Sequence, residues 1–166
     1  MPLRDTVVLT VHEKKMLEWV GKQRYESAIK EKRDPGLGPS RYVDAVNHIR
    51  GAECEFACSL IVNRSWRPTI GDICSPDVGK VLEVRSTILA TGRLIIKPND
   101  DGPFALIYKK DEVTFKFMGW HYAYLVKQSY PLVTKYGDPA HFVPSSDLKS
   151  LDDVMKMFRD LEVRRW

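Results

Sequence analysis

The spacing of apolar positions divides the chain into a helical first third, a strand-rich middle and a closing helix. Thr10 and Glu13 form a capping box, in which the Thr side chain accepts from the amide three residues on and the Glu side chain reaches back. This motif predicts a helix that begins there and runs to Arg33. Apolar side chains recur near helical spacing along it, at Met16, Trp19, Val20 and Ala28.

A second helix is predicted after the break at 34–40, where Pro and Gly remove helical conformations. Ser40 is its expected N-cap. The stretch from Gly51 to Asn63 is apolar on almost every side, which is typical of a buried helix. Helices are therefore expected over about 10–50, and a further buried helix follows them.

Five short segments after Pro68 are β-branched and bounded by turns, as strands are. They are Thr69–Cys74, Lys80–Thr87, Gly92–Lys97, Phe104–Lys109 and Val113–Met118. A turn at Ser75–Gly79 predicts that the first two form an antiparallel hairpin. The sequence thus predicts a sheet of about five strands.

The last third of the chain has mixed signals. Gly119–Lys127 is rich in aromatic residues and predicts a strand, a helix or both in sequence, while Pro131–Pro144 has the composition of a loop. Ser150 and Asp153 resemble a second capping box. A closing helix over 150–164 is predicted, with one apolar stripe at Leu151, Val154, Met155, Phe158 and Leu161.

Length and composition favour one domain over residues 1–166. Hydrophobic residues make up 43% and charged residues 29%, close to globular averages. No apolar run approaches the roughly 20 residues that a membrane span requires, so we expect a cytoplasmic chain that does not enter a membrane. The net charge of +4 permits a nucleic-acid partner without requiring one.

The three cysteines, Cys54, Cys58 and Cys74, are an odd number in a chain that is not expected to be secreted. A disulfide framework is therefore not predicted. A zinc site of these residues with His48 can be drawn, but the chain has no C-x-x-C pair. Small buried core side chains are the favoured interpretation.

Carboxylates lie where they are costly to bury. Glu55 lies in the apolar helix, and a lone buried carboxylate costs several kcal/mol unless a cation or strong donors offset it. Asp72 interrupts the first predicted strand, and Glu83 the second. The predicted hairpin brings Asp72 and Glu83 to nearby levels, and Glu83 and Arg85 point to one face because they are two residues apart.

Carboxylates that converge in this way repel one another unless they are protonated or share a cation. Oxygen-only ligands suit Mg²⁺ or Mn²⁺, and such an ion can polarise a phosphate and help to generate hydroxide. The carboxylates that would share such an ion are Asp72, Glu83 and Glu55. The chemistry that this group favours is phosphodiester hydrolysis.

These residues resemble the E…D-x(n)-E-x-K signature of the PD-(D/E)XK, or restriction-endonuclease-like, nuclease superfamily. Glu55 on a helix, Asp72, and then Glu83-Val84-Arg85 carry the likeness, over about 51–120, with Gly-x-x-x-Glu-Phe-Ala at the helix entry. The resemblance implies an α/β fold with a mixed sheet flanked by helices, and catalytic roles for Glu55, Asp72, Glu83 and Arg85. Pro76-Asp77 also matches the opening of the motif. Only five residues separate Asp77 from Glu83, however, and the turn takes them up, so Asp72 is preferred.

Arg85 departs from the signature Lys. An Arg side chain stays protonated, so it can hold a phosphate oxygen but cannot act as a general base. Glu-x-Lys or Glu-x-Arg occurs four times in the chain, and Glu83 pairing with Arg85, or Glu55 with Arg50, is a plain structural alternative.

The sequence accordingly predicts a metal-dependent nuclease that acts on nucleic acid, with DNA favoured over RNA. A homodimer is compatible with this prediction. The first alternative is a catalytically weak or inactive relative that binds nucleic acid or protein. The second is a structural or assembly protein.

Overall fold

Four α-helices and two β-sheets form the part of the chain that the structure describes, residues 4–31, 41–71 and 75–164 of a computed structural model. The helices are α1 Val11–Lys30, α2 Arg41–Val62, α3 Ala123–Ser129 and α4 Leu151–Val163. The strands are β1 Thr6–Val8, β2 Glu83–Thr87, β3 Leu94–Ile96, β4 Pro103–Lys109, β5 Thr114–Tyr122 and β6 His141–Val143. The fold is mixed α/β, as predicted.

The capping boxes begin α1 and α4 where the sequence predicts them. In α1 the Thr10 amide donates to Glu13 Oε2 at 2.7 Å, and the Glu13 amide donates to Thr10 Oγ1 at 3.2 Å. The inward face of α1 differs from the prediction, because Met16 and Trp19 are 42% and 59% exposed. Its buried positions are Leu17, Val20, Gly21 and Ala28.

Gly21 explains how closely α1 approaches α2. A Cβ at this position would lie 2.4 Å from Ile49 Cα, so only glycine permits the two backbones to come this near. The contact aligns the two helices side by side.

The main sheet has the strand order β1-β5-β4-β2. β2 runs parallel to β4, and the other pairs are antiparallel, so the sheet is mixed. Alternate residues of β4 serve two cores: Ala105 and Ile107 join the cluster made with α1, α2 and α4, whereas Phe104 and Leu106 join the cluster made with α3, β3 and β6. The sheet is thereby covered on both faces.

The predicted hairpin of Thr69–Cys74 with Lys80–Thr87 is wrong for the described residues. Residues 69–71 are not strand, 72–74 lie outside the described part, and β2 pairs in parallel with β4 instead. Val78 forms isolated bridges to Trp66 and Leu82, so the turn closes on itself before β2 begins. Composition marked the strand correctly but contained no information on which partner it would choose.

Two three-residue strands, β1 and β6, were not predicted. β6 lies in the stretch with loop composition and pairs antiparallel with β3. The aromatic-rich segment is a strand followed by a helix, since β5 ends at Tyr122 and α3 begins at Ala123. Within the described ranges, no helix combines the length and apolar character that crossing a bilayer would need.

Candidate functional site

Asp77 and Glu83 lie close enough at the amino end of β2 for each carboxyl group to affect the pKa of the other. Glu83 is the first residue of that strand. Asp77 precedes it in the turn, where its Oδ2 accepts from the Val84 amide at 2.9 Å. The turn therefore presents one acid beside the other instead of separating them.

Gly79 allows this turn to form. Its φ of +59° lies in the left-handed region, and a Cβ there would lie 2.6 Å from Phe158 Cε1. The Gly79 amide donates to Ser65 O at 2.8 Å, and the amides of Val78 and Leu82 each donate to the other's carbonyl at 3.0 Å. These contacts fix the backbone that follows Asp77.

Burial and neighbouring negative charge keep a proton on this pair. Burial, and after it the charges of Glu55 and Glu83, raise the pKa of Asp77 to about 8, although the Val84 amide opposes the shift. Burial also raises the pKa of Glu83, while its hydrogen bond with Asp77 and the charge of Arg85 oppose that rise. Because its pKa is raised to about 8, Asp77 is mainly protonated at neutral pH.

Glu55 is buried in α2 against a cation from α1. Arg24 Nη1 donates to Glu55 Oε1 at 2.7 Å, and Arg24 Nη2 donates to Oε2 at 2.8 Å. Trp66 Nε1 donates to Oε2 at 3.1 Å, and Arg24 Nε donates to Thr69 O at 2.9 Å. The expected positive partner of Glu55 is thus present, and both carboxylate oxygens are engaged.

The alternative pairing of Glu55 with Arg50 is not formed. Residues five apart on a helix point to different sides, whereas those three or four apart are neighbours. Arg50 instead donates to Ser86 Oγ at 3.3 Å and to Asn47 Oδ1 at 3.1 Å.

Arg85 lies on the same face of β2 as Glu83 but forms its ion pair elsewhere. Its Nη2 donates to Asp100 Oδ2 at 2.7 Å, its Nε donates to Ile95 O at 3.3 Å, and its guanidinium carbon lies 4.9 Å from the centre of the Phe104 ring. The plain structural alternative, in which Arg85 neutralises Glu83 directly, is therefore replaced by an Arg85–Asp100 pair.

Glu53 is a second buried acid that sequence reasoning missed. Its side chain is 2% exposed and lies in ion pairs with Lys14 of α1 and Lys109 of β4, the latter at 2.8 Å. Glu53 stands in the same apolar helix as Glu55, so the signal that identified Glu55 was present here as well. Residues two apart lie on opposite sides of a helix, and Glu53 consequently meets different cations.

Cys54 and Cys58 are buried in the core without a disulfide. Burial raises the pKa of the Cys54 thiol to about 12 and also raises that of Cys58. These thiols are small core side chains, the favoured interpretation of the sequence. Cys74 lies outside the described residues.

Asp77 and Glu83 together could hold a divalent cation. Mg²⁺ takes one or two carboxylates and keeps several waters, and a cation between the two groups would favour their charged forms, which burial disfavours. Among the described residues, no group of three or more His, Cys, Asp or Glu side chains is arranged to hold a metal ion. The pair would thus bind such an ion together with water and substrate oxygens.

The predicted site residues are only partly brought together. Glu83 and Arg85 share one face of β2, and Glu55 is close enough for its charge to raise the pKa of Asp77. Asp72 lies outside the described residues, so its role stays a prediction. Comparison of the chain with family models, curated proteins and solved structures finds no match. A function must therefore be argued from these side chains.

Proposed function

We propose that the chain is a metal-dependent nuclease of the PD-(D/E)XK type, with DNA favoured over RNA as its substrate. The observation that supports this most is the position of Asp77 beside Glu83, held there by the 2.9 Å hydrogen bond from the Val84 amide to Asp77 Oδ2. A carboxyl group must lose its proton before it binds a metal ion. A cation would therefore take the place of the proton on Asp77.

The order of residues matches the resemblance when the motif opens at Asp77. Pro76-Asp77 is followed by Glu83-Val84-Arg85, and the last two charged side chains point to one face of the strand. The mixed sheet, covered by helices, is compatible with a restriction-endonuclease-like core. The turn that argued against Asp77 is what brings it to Glu83.

In this proposal Asp77 and Glu83 hold Mg²⁺ or Mn²⁺. The bound ion would supply charge for a phosphate oxygen and lower the pKa of a coordinated water. Asp77, which holds its proton below about pH 8, would release that proton to solvent on binding the ion. Arg85 remains protonated and binds a phosphate oxygen of the substrate, since a guanidinium cannot take up a proton as a general base.

Glu55 contributes its charge without being a ligand. Both of its oxygens are engaged by Arg24 and Trp66, and the guanidinium offsets the cost of burying the carboxylate. Its remaining effect is to raise the proton affinity of Asp77.

The test combines metal binding with cleavage. Calorimetry with Mn²⁺ should detect binding to the wild type, weakened at least about tenfold in Asp77→Asn and Glu83→Gln and unchanged in Asp138→Asn, an exposed loop acid. Linear and circular DNA and a single-stranded RNA should then be incubated with Mg²⁺, with Mn²⁺ or with a chelator. The nuclease proposal fails if neither metal binding nor metal-dependent cleavage is found, or if both persist in the two site variants.

A binding protein without catalysis is the second candidate, and the Arg85–Asp100 pair favours it. A guanidinium held at 2.7 Å by a neighbouring acid cannot serve as a base and has one donor fewer for substrate. Salt-dependent DNA binding without cleavage would support this candidate over the nuclease.

A further inference from the structure

Arg85 is held from three directions on its face of β2. Asp100 accepts from Nη2, the Ile95 carbonyl accepts from Nε, and the guanidinium lies over the Phe104 ring. The Arg85 side chain is nevertheless 33% exposed. A guanidinium has five N–H donors, so these contacts leave the others available to a ligand.

Asp100 is itself fixed by the turn between β3 and β4. Its Oδ2 accepts from the Lys97 amide at 2.8 Å, and its own amide donates to Lys97 O at 3.1 Å. Lys127 of α3 donates through Nζ to the Asp100 carbonyl at 2.7 Å and to the Pro98 carbonyl at 3.1 Å. The carboxylate thus reaches Arg85 from a backbone that two separate elements hold.

An arginine two residues from a glutamate on one strand face is near enough to pair with it. Such a pair would occupy the Glu83 carboxylate and oppose its binding of a cation. The Arg85–Asp100 pair removes that competition, because the guanidinium is already satisfied by another acid. It also limits the many rotamers of the long arginine side chain, which lowers the entropy lost when a ligand binds.

We propose that Asp100 is a positioning residue, which holds Arg85 away from Glu83 and so leaves the Asp77 and Glu83 carboxylates free for a divalent cation. This inference rests on the proposed function and assigns Asp100 no contact with substrate. Its distinctive consequence is that the loss of Asp100 acts through Arg85. A variant that lacks both side chains should therefore bind metal better than one that lacks Asp100 alone.

The experiment is Mn²⁺ calorimetry on the full chain with four variants: Asp100→Ala, Asp100→Asn, Arg85→Ala and the double variant Asp100→Ala with Arg85→Ala. Asp101→Ala is the matched control, since Asp101 is the exposed acid next in the same turn. Thermal unfolding by circular dichroism checks that each variant folds. Asp100→Asn keeps an oxygen for the Lys97 amide and serves if Asp100→Ala does not fold.

We expect Asp100→Ala to weaken Mn²⁺ binding by about tenfold, and Asp100→Asn by a smaller factor. The double variant should recover to within about threefold of Arg85→Ala alone. Asp101→Ala should match the wild type. The recovery separates positioning from a structural role, because a damaged turn would not be repaired by removing a second side chain.

Two results overturn the inference while leaving the proposed function standing. One is wild-type Mn²⁺ affinity in Asp100→Ala, and the other is an additive loss in the double variant. If the wild type binds neither Mn²⁺ nor Mg²⁺, the proposed function fails first and the inference fails with it.

Discussion

Replacing Asp77 with Asn should stabilise the protein, and increasingly so as the pH rises. The pKa of Asp77 is raised in the folded protein from 3.8 to about 8, chiefly by burial. The folded state therefore binds this proton more tightly than the unfolded state does. Its stabilising contribution is complete below about pH 4 and is lost as the pH rises towards and through about 8. Asn has no proton to lose, and its amide oxygen can still accept from the Val84 amide.

The magnitude follows from the interval between the two pKa values. Each pH unit corresponds to about 1.36 kcal/mol, so the interval from 3.8 to about 8 gives a loss of up to roughly 6 kcal/mol. This is comparable with the total stability of a typical domain, about 5–15 kcal/mol.

Urea unfolding at pH 5, 7 and 9 measures the effect. The wild type should lose free energy of unfolding across this range, whereas Asp77→Asn should lose several kcal/mol less, and Asp138→Asn should follow the wild type. Saturating Mg²⁺ at pH 9 should restore about 2.7 kcal/mol to the wild type at one hundred times its dissociation constant, and at most about 1.4 kcal/mol to Asp77→Asn, whose affinity is expected to be at least about tenfold lower. Parallel pH profiles for the wild type and Asp77→Asn would refute the raised pKa of Asp77.

Three further predictions concern the scaffold of the site. Glu53→Ala should cost about 3–5 kcal/mol in urea unfolding, since it leaves two partly buried lysines without their acid. Gly79→Ala should lower the free energy of unfolding by roughly 2 kcal/mol more than Gly102→Ala. Both glycines have positive φ, but of the two only Gly79 has no space for a Cβ. Equal losses in the two variants would contradict this prediction. Cys54 and Cys58 should resist a thiol reagent at pH 8 until urea unfolds the chain, and rapid labelling of either in the folded protein would contradict their burial.

The elements that the sequence predicted well are those specified by neighbouring residues. The capping boxes at Thr10 and Ser150 mark the first turns of α1 and α4, because the hydrogen bonds of a cap span only three residues. The apolar run over 51–63 correctly identified the buried part of α2. Pairing of strands is different, since it joins distant residues. Neither segment contains a sequence signal that predicts pairing of β2 with β4 in place of a local hairpin.

The site was predictable to the same extent. The two-residue spacing of Glu83 and Arg85 places both on one face of a strand whatever that strand pairs with. Asp72 was preferred over Asp77 because the five residues between Asp77 and Glu83 were expected to be taken up by the turn. The turn, which closes at Val78, instead places Asp77 near Glu83, while Asp72 lies outside the described residues. The cation beside Glu55 is Arg24, 31 positions earlier, and no local pattern connects them.

The hydrogen bond from Val84 to Asp77 has a consequence for self-association. Among the described strands β2 is at the edge of its sheet, and edge strands expose backbone donors and acceptors that can recruit a strand from another molecule. The carboxyl of Asp77 occupies one of those donors at 2.9 Å, and the turn that carries it covers the start of β2. A strand added at this edge would have to displace the half-buried Asp77 side chain. The residue proposed to bind a metal thereby also disfavours the addition of a strand from another molecule at this edge of the sheet.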